Sequence, residues 1–170
     1  RCQFELAFGV QELPQYPTGG MSSSAYLRRL CELALEERFA PTDEQARAQL
    51  LHELAVIERA GLANYFLVVW DIMRCAREKG ILGQGRGSAA NSLVAYLLHI
   101  TPVNPLARGL VFERFLSDER SAVPDIDLDF QANRREEVIQ YVYDRYGRDH
   151  AAMACTFATF QARSAARDVA

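Results

Sequence analysis

Apolar residues recur at helical spacing through the first half of the chain, and this pattern predicts three consecutive helices. The first, over residues 22–39, begins on a run of serines that can cap it. Its apolar positions share one face: Leu27, Leu30, Cys31, Ala34 and Leu35. The third, over residues 64–79, is apolar nearly all round and basic at its end. Lys79 in the last turn and Gly80 just beyond it predict a buried helix that ends there.

The second predicted helix has start and stop signals of its own. Thr42 and Gln45 match a capping box, and Gly61 ends the segment. Its apolar stripe consists of Ala46, Leu50, Leu54 and Ile57. The first twenty residues are rich in Pro, Gly and Gln, which is typical of a linker or a domain edge.

The second half of the chain mixes helical and strand patterns. "GQGRGS" at 83–88 predicts a loop, and residues 88–100 predict a helix with Ser88 near its start. Residues 110–116 are apolar around Glu113-Arg114 and leave helix and strand both open. "VPDIDLDF" at 123–130 alternates polar and apolar side chains, which predicts a strand.

The last third predicts one further helix and a second strand. Asn133 can cap a helix that continues through Tyr146 to Gly147. Its inward positions are Val138, Ile139 and Val142. Residues 152–160 resemble a strand and lead into a final helical start. The expected fold is therefore α/β or α+β, with a small sheet flanked by helices.

Composition narrows the class of protein. The 170 residues are 49% hydrophobic and 24% charged, which suffices for a packed core. A net charge of −3 argues against a module that only binds nucleic acid, and no membrane span or signal peptide is predicted. The four cysteines have neither zinc-site nor disulfide-framework spacing, which is typical of a reducing cytoplasm. The chain begins at Arg1 and ends in a helical pattern, so we expect a segment of a longer polypeptide.

The predicted acidic strand is the first candidate for chemistry. Asp125, Asp127 and Asp129 share one face, while Ile126, Leu128 and Phe130 share the other. Residues two apart on a strand lie about 6.6 Å apart, so two carboxylates can converge on a cation. Mg²⁺ prefers such oxygen ligands, with waters and substrate phosphates completing its shell. The alternative is a solvent-exposed strand face that is acidic without a metal.

The glycine loop is the second candidate. It matches neither the dinucleotide fingerprint nor the Walker pattern. Gly85, Gly87 and Ser88 still allow backbone N–H groups to approach a phosphate, and Arg86 adds positive charge. The alternative is a tight turn with a serine cap. Arg114 could contact a phosphate as well, or form a surface salt bridge with Glu113 or Glu119.

Together these segments resemble a known family. A Gly-Ser turn that opens a helix and a following D-x-D strand resemble the nucleotidyltransferase palm of the polymerase-beta type. More specifically, "GQGRGSAANSLVAYLLHIT", "LVFERFLSDER", "PDIDLDF" and "REEVIQYVYDRYGRD" resemble consecutive blocks of the bacterial C-family DNA polymerases. These are the alpha subunit of DNA polymerase III and its relatives. The resemblance runs from about Tyr65 to the end of the chain, and the loop is more similar to the error-prone branch than to the replicative one.

The resemblance implies a role for each matching residue. It makes Asp125 and Asp127 catalytic acids that bind two Mg²⁺ ions together with a third acid outside the chain. It makes Gly87 and Ser88 contacts of the nucleotide triphosphate, with Arg86 and Arg114 as further phosphate contacts. Asp129 matches an acidic position that is not catalytic.

The resemblance also implies domains, partners and activity. Residues 1–20 would leave a PHP domain, 21–155 would form the first part of an incomplete palm domain, and 156–170 would begin the thumb. The expected activity is addition of a deoxynucleotide to a primer on template DNA, in the bacterial cytoplasm, in possible association with replisome or mutasome proteins and without a membrane partner. This segment by itself is expected to be inactive. The rivals are a replicative polymerase, a nuclease and a non-catalytic phosphate-binding module.

Overall fold

A computed structural model describes residues 13–116, 123–154, 159 and 161–169. Within these ranges the chain forms six α-helices, two strands and two 3₁₀ segments. The helices are α1 (Ser23–Arg38), α2 (Glu44–Arg59), α3 (Ala63–Glu78), α4 (Leu93–Leu97), α5 (Arg135–Tyr146) and α6 (Ala162–Val169). The strands are β1 (Gly83–Arg86) and β2 (Asp127–Phe130), and the 3₁₀ segments are Gly87–Asn91 and Phe112–Arg114.

The three N-terminal helices form where the apolar pattern predicts them. Ser22 caps α1, because its side-chain oxygen accepts a hydrogen bond from the N–H of Ala25. Of the predicted stripe, Leu27, Cys31 and Leu35 are buried, whereas the other two members are partly buried. All members of the α2 stripe are buried.

The predicted helix ends are confirmed, whereas two predicted helix starts are wrong. Gly61, Gly80 and Gly147 follow α2, α3 and α5 with positive φ, as helix-terminating glycines do. The cap of α2 is Asp43 instead of Thr42, because the Asp43 carboxylate accepts the N–H of Ala46 at 2.9 Å.

The start of α5 also differs from the prediction. Its cap position is Arg134 instead of Asn133, and no side chain caps this helix. The Arg134 guanidinium instead donates to the carbonyl of Lys79 at the end of α3. A cation next to these carbonyls is favourable because a helix C-terminus carries partial negative charge.

The predicted helix over 88–100 is interrupted. The chain makes a 3₁₀ segment at Gly87–Asn91 and then starts afresh with Ser92 as the cap of α4. A buried carboxylate from α2 causes the restart. Glu53 is 0% exposed and accepts hydrogen bonds from the N–H groups of Leu93 and Val94 and from the Ser92 hydroxyl, at 2.8–3.0 Å.

The sheet corrects two further predictions. Residues 83–86 belong to β1 instead of a loop, and regular pairing in the acidic segment begins only at Asp127. The strands are antiparallel, with Gly83 opposite Phe130 and Arg86 opposite Asp127. Within 110–116 the regular structure is neither strand nor α-helix but the 3₁₀ turn Phe112–Arg114.

Helix α3 is the centre of the packing. It contacts α1, α5 and β1, and its buried Phe66 makes an edge-to-face contact with Phe115. Ile126, Leu128 and Phe130 are partly buried against the core, as the strand alternation predicts.

A buried carboxylate also joins α5 to α3. Asp71 accepts hydrogen bonds from the hydroxyls of Tyr141 and Tyr146 at 2.7 and 2.8 Å, and from Arg74 at 2.6 Å. Burial raises the pKa of Asp71, but these hydrogen bonds outweigh it and lower the pKa below its ordinary value.

The overall class is helix-rich with a two-stranded antiparallel sheet, consistent with the predicted α+β class. No helix in the described part of the chain is long and apolar enough to cross a membrane. The linker prediction for residues 1–20 falls largely on residues 1–12, outside the described residues. Of the strand-like segment 152–160, residues 155–158 and 160 also lie outside them, and 152–154 have no regular structure.

The Glu53 cap gives a stability prediction. Glu53→Ala would leave two buried N–H groups and one hydroxyl without their acceptor, so the free energy of unfolding should fall by about 3 kcal/mol. Urea unfolding followed by circular dichroism measures this loss. The exposed Glu58 on the same helix supplies the matched control, Glu58→Ala, which should change stability by less than about 0.5 kcal/mol. Equal effects of the two substitutions would contradict the proposed role of Glu53.

Candidate active site

The backbone of Gly85 positions the strand pair. Its N–H donates to the carbonyl of Ile100 at 2.6 Å, which draws β1 against the end of the α4 region. A Cβ at this position would lie 2.9 Å from that oxygen, so only glycine fits without a shift of the backbone. β1 is thereby held close to the core while its other face is exposed.

The exposed face of the sheet carries the predicted acids and one arginine. Arg86 contacts Asp127 Oδ2 through Nη1 at 3.3 Å and donates from Nε to Asp129 Oδ1 at 3.1 Å. The hydrogen bond to Asp129, together with the charges of Asp127 and Asp129, raises the pKa of Arg86. The guanidinium therefore balances the repulsion between neighbouring carboxylates, as cross-strand pairs of opposite charge do.

Gly87 and Ser88 lie immediately beside the acids. Gly87 has φ 67°, a left-handed conformation that favours glycine, and a Cβ there would lie 3.7 Å from Asp127 Oδ2. The Ser88 hydroxyl donates to the backbone carbonyl of Asp125 at 3.3 Å. The structure thus brings together five of the predicted site residues: Arg86, Gly87, Ser88, Asp125 and Asp127.

Tyr65 connects the acidic segment to α3. Its hydroxyl donates to the carbonyl of Pro124 at 2.9 Å, one residue before Asp125. Burial raises the pKa of Tyr65, and the negative charges of Asp125 and Asp127 raise it further. The hydrogen bond from the Tyr65 phenol holds the segment that precedes β2.

The N-terminus of α4 is not available to a phosphate. Glu53 already occupies the position where an anion would bind, since it accepts the first N–H groups of α4. A phosphate at Gly87 and Ser88 would instead rely on the 3₁₀ segment, on the Ser88 hydroxyl and on Arg86. The cation next to Gly87 and Ser88 in the chain is the guanidinium of Arg86, which already contacts the acids.

Arg114 lies on the 3₁₀ turn Phe112–Arg114, which packs against the 3₁₀ segment Gly87–Asn91. Its predicted salt bridge with Glu113 does not form, because Glu113 pairs with His52 at 2.9 Å. The alternative partner Glu119 lies outside the described residues. Among the residues that the structure describes, Arg114 has no ion-pair partner and its side chain is exposed.

The acids can be tested for their fit to Mg²⁺. Asp125 is exposed and the Asp127 side chain is 46% exposed, so both carboxylates can receive an ion from solvent. Within the described ranges, however, no cluster of three or more His, Cys, Asp or Glu residues forms a ready-made metal site. The two carboxylates fit an ion that shares its shell with water and substrate phosphate, as Mg²⁺ commonly does.

Sequence reasoning missed the residues that hold this arrangement in place. Glu53 lies three residues after Leu50 and one before Leu54, so a charged residue in an apolar stripe was an available signal of a buried hydrogen-bond network. No comparable signal identifies Tyr65, because an aromatic residue in an apolar helix is ordinary core composition.

Comparison with known proteins places the chain in a family. Residues 25–170 match the family model described as the bacterial DNA polymerase III alpha NTPase domain. The chain is 50% identical to the DNA polymerase III subunit alpha of Bacillus subtilis (strain 168) over 99% of its length. It is 53% identical to the protein of the same name from Halalkalibacterium halodurans and 51% identical to the error-prone DNA polymerase of Symbiobacterium thermophilum, each over 99% of the chain.

The chain spans 15–16% of the length of these curated relatives. Relatives named as subunit alpha and as error-prone polymerase match it with nearly equal identity. Over most of its length, the chain belongs to the family of the bacterial DNA polymerase III alpha NTPase domain.

Proposed function

We propose that this chain carries two catalytic acids and the triphosphate contacts of a DNA-directed DNA polymerase. The observation that carries the proposal is the juxtaposition of Arg86, Gly87 and Ser88 with Asp125 and Asp127 on one exposed sheet face. A nucleotidyl-transfer site needs anion donors beside carboxylates that can hold a divalent cation. Family membership supports the reaction, since the relatives are named as DNA polymerases.

In this reaction the primer 3′-hydroxyl attacks the α-phosphate of a deoxynucleotide, and pyrophosphate leaves. The carboxylates of Asp125 and Asp127 would hold Mg²⁺, which when bound stabilises the charge that develops on the phosphates and favours deprotonation of the hydroxyl. The third acid that the family resemblance implies would come from outside this chain. Asp129 instead accepts the Arg86 Nε hydrogen bond and helps to fix the guanidinium.

The remaining residues would bind and orient the triphosphate. Arg86 is 57% exposed, so its guanidinium can contact an incoming phosphate while it stays next to Asp127. Gly87 and Ser88 follow this cation directly in the chain and lie beside the acids, so the Gly87 N–H and the Ser88 hydroxyl would be the further donors. Arg114, exposed on the neighbouring 3₁₀ turn, supplies a further positive charge. Donors fixed in position before the reaction stabilise its charged transition state best.

The sheet and its helices would form the first part of a polymerase-beta-like palm, over residues 21–155. Residues 1–20 would leave a PHP domain, and 156–170 would begin the thumb. The partners would be primer-template DNA, a deoxynucleotide and other replication or repair proteins in the bacterial cytoplasm. Two Mg²⁺ ions are expected in the complete site.

Primer extension by the full-length protein tests the role of the acids. Asp125→Asn and Asp127→Asn should each lower the extension rate about a thousandfold, because several kcal/mol of transition-state stabilisation are lost. Asp129→Asn is the matched control and should retain activity within about tenfold, since it removes a negative charge next to Arg86 but keeps an oxygen that can accept the Arg86 Nε hydrogen bond. The rates are measured with labelled primer, template, Mg²⁺ and deoxynucleotides.

The same assay separates the rival functions. Full activity of Asp125→Asn and Asp127→Asn would indicate that the acids belong to a non-catalytic surface. Shortening of the primer instead of extension would identify a nuclease. The isolated 170-residue chain should show no extension, because it contributes only two of the expected acids and lacks further DNA-binding parts.

Within the family we propose the error-prone branch. The supporting feature is the loop "GQGRGSAANS", whose residues after Ser88 resemble that branch more than the replicative one. Single-nucleotide incorporation opposite each template base measures the fidelity of the full-length protein. We expect frequent misincorporation and extension past a template abasic site. Stalling at that site together with accurate incorporation would favour the replicative branch.

A further inference from the structure

A cavity lies at the opposite end of β1 from Gly87. Its volume is about 460 Å³, and its walls include Arg38 of α1, Arg77 of α3 and His99, which follows α4. Gln84 of β1 also lines it. No acidic side chain of the described residues lines this cavity. We refer to it as the arginine pocket.

The three basic side chains in the arginine pocket interact through a hydrogen bond and through their charges. Arg38 Nη2 lies 2.5 Å from His99 Nδ1 and 2.8 Å from His99 Nε2, so the imidazole accepts from Arg38 through one of its ring nitrogens. Burial, followed by the positive charges of Arg38 and Arg77, lowers the pKa of His99, whereas Glu37 on α1 acts in the opposite direction. Burial and the charge of Arg38 likewise lower the pKa of Arg77, against the effect of Glu78. An anion in the pocket would relieve this repulsion.

Part of the cluster has a structural role. Arg38 Nη1 donates to the carbonyl of Tyr96 at 2.8 Å, and Arg77 Nη1 donates to that of His99 at 3.1 Å. These bonds satisfy carbonyls at the end of α4, where cations are favourable. They leave Arg77 Nε and Nη2 without a partner among the described residues. The carbonyls at the end of α4 therefore explain where the two guanidinium groups lie. They use only some of the N–H donors of these groups.

His99 has an unusual backbone for its residue type. Its φ is 57°, and it is the only non-glycine residue with positive φ in the described part of the chain. His99 lies just after α4, and the corresponding residues just after α2 and α3 are glycines, Gly61 and Gly80. Helix termination alone would favour glycine here as well, because a left-handed residue with a Cβ costs about 1 kcal/mol. The imidazole is kept in the pocket despite this cost.

The arginine pocket and the candidate active site share strand β1, because Gln84 lines the pocket and Arg86 contacts the acids. Gln84 is opposite Asp129 in the strand register, and Arg86 is opposite Asp127, so all four side chains share one face. Gln84 and Gly87 are three residues apart on an extended chain, about 10 Å. A nucleic-acid strand that passes along β1 from the acids would therefore reach the pocket within a few nucleotides.

We propose that the arginine pocket binds a backbone phosphate of the primer-template DNA, a few nucleotides from the reacting centre. Arg77 and Gln84 would donate to its oxygens, and Arg38 would add a second positive charge. The His99 imidazole would hold the Arg38 guanidinium in place. The inference takes the class of ligand from the proposed polymerase function. Its position and chemistry come from the pocket itself.

Equilibrium binding of labelled primer-template DNA to the full-length protein tests this proposal. Arg77→Gln removes the charge but keeps a side-chain amide that can donate to the His99 carbonyl in place of the guanidinium. Loss of one phosphate contact should lower the affinity roughly fivefold to tenfold near 0.1 M salt and reduce the slope of log affinity against log salt by about 0.9. Arg47→Gln on α2 makes the same charge change at an exposed site outside the pocket and should have little effect.

A second variant separates binding from folding. His99→Gly removes the imidazole at a position where glycine is unstrained, so it should preserve or raise the melting temperature. It should nevertheless weaken DNA binding, by less than Arg77→Gln does. Unchanged affinity in both pocket variants, or an equal loss in Arg47→Gln, would overturn the proposal. A higher KM for the deoxynucleotide with unchanged DNA affinity would also overturn it, because the phosphate would then come from the nucleotide.

Failure of the arginine-pocket proposal can be distinguished from failure of the proposed polymerase function. If the unmodified protein binds DNA and extends primers while Arg77→Gln binds equally well, only the arginine-pocket proposal fails. If the unmodified protein neither binds primer-template DNA nor extends it, the polymerase proposal fails. Asp127→Asn supplies the complementary control, since it should stop extension while leaving the DNA affinity and its salt slope nearly unchanged.

Discussion

The candidate site depends on the attraction between Arg86 on β1 and the acids Asp127 and Asp129 on β2. A strand that presents aspartates at every second position is unfavourable by itself, because like charges on one face repel. Antiparallel pairing places a guanidinium between Asp127 and Asp129, and Gly85 allows the partner strand to lie against the backbone of Ile100. The acids therefore remain together before any substrate or cation arrives, and the cation that balances them is the one best placed to meet a phosphate.

Two buried carboxylates build the scaffold around this sheet. Glu53 joins α2 to the start of α4, and Asp71 joins α3 to α5. Each is surrounded by hydrogen-bond donors, which is how a buried acid is tolerated. Glu53 also limits which groups next to the sheet could bind a phosphate. Because it occupies the N-terminus of α4, the proposed phosphate contacts would come from side chains and from the 3₁₀ segment Gly87–Asn91 instead of from a helix dipole. Breaking either carboxylate network should loosen the sheet indirectly, through the helices that support it.

Elements with strong periodicity could be predicted from the sequence, whereas the connections between them could not. The stripe of α1 and the alternation of Ile126, Leu128 and Phe130 follow from burial of one face, and the structure has both. Asp43 displaced the predicted cap Thr42 because two good capping residues were adjacent, and only the backbone geometry chooses between them. The strand at Gly83–Arg86 was missed because glycine has low strand propensity, and its partner lies more than forty positions away along the chain. The juxtaposition of Ser88 with Asp125 depends on that same long-range pairing.

The central claim is that Asp125 and Asp127, and not Asp129, bind the catalytic cation beside a triphosphate held by Ser88. Anomalous diffraction from crystals of the full-length protein with Mn²⁺, primer-template DNA and a non-hydrolysable deoxynucleotide tests it most directly, because Mn²⁺ prefers the same oxygen ligands as Mg²⁺. We predict an anomalous peak within about 2.2 Å of carboxylate oxygens of both Asp125 and Asp127, with a triphosphate oxygen in contact with the Ser88 hydroxyl. A peak bound by Asp129 alone, or a triphosphate located away from Ser88, would contradict the account.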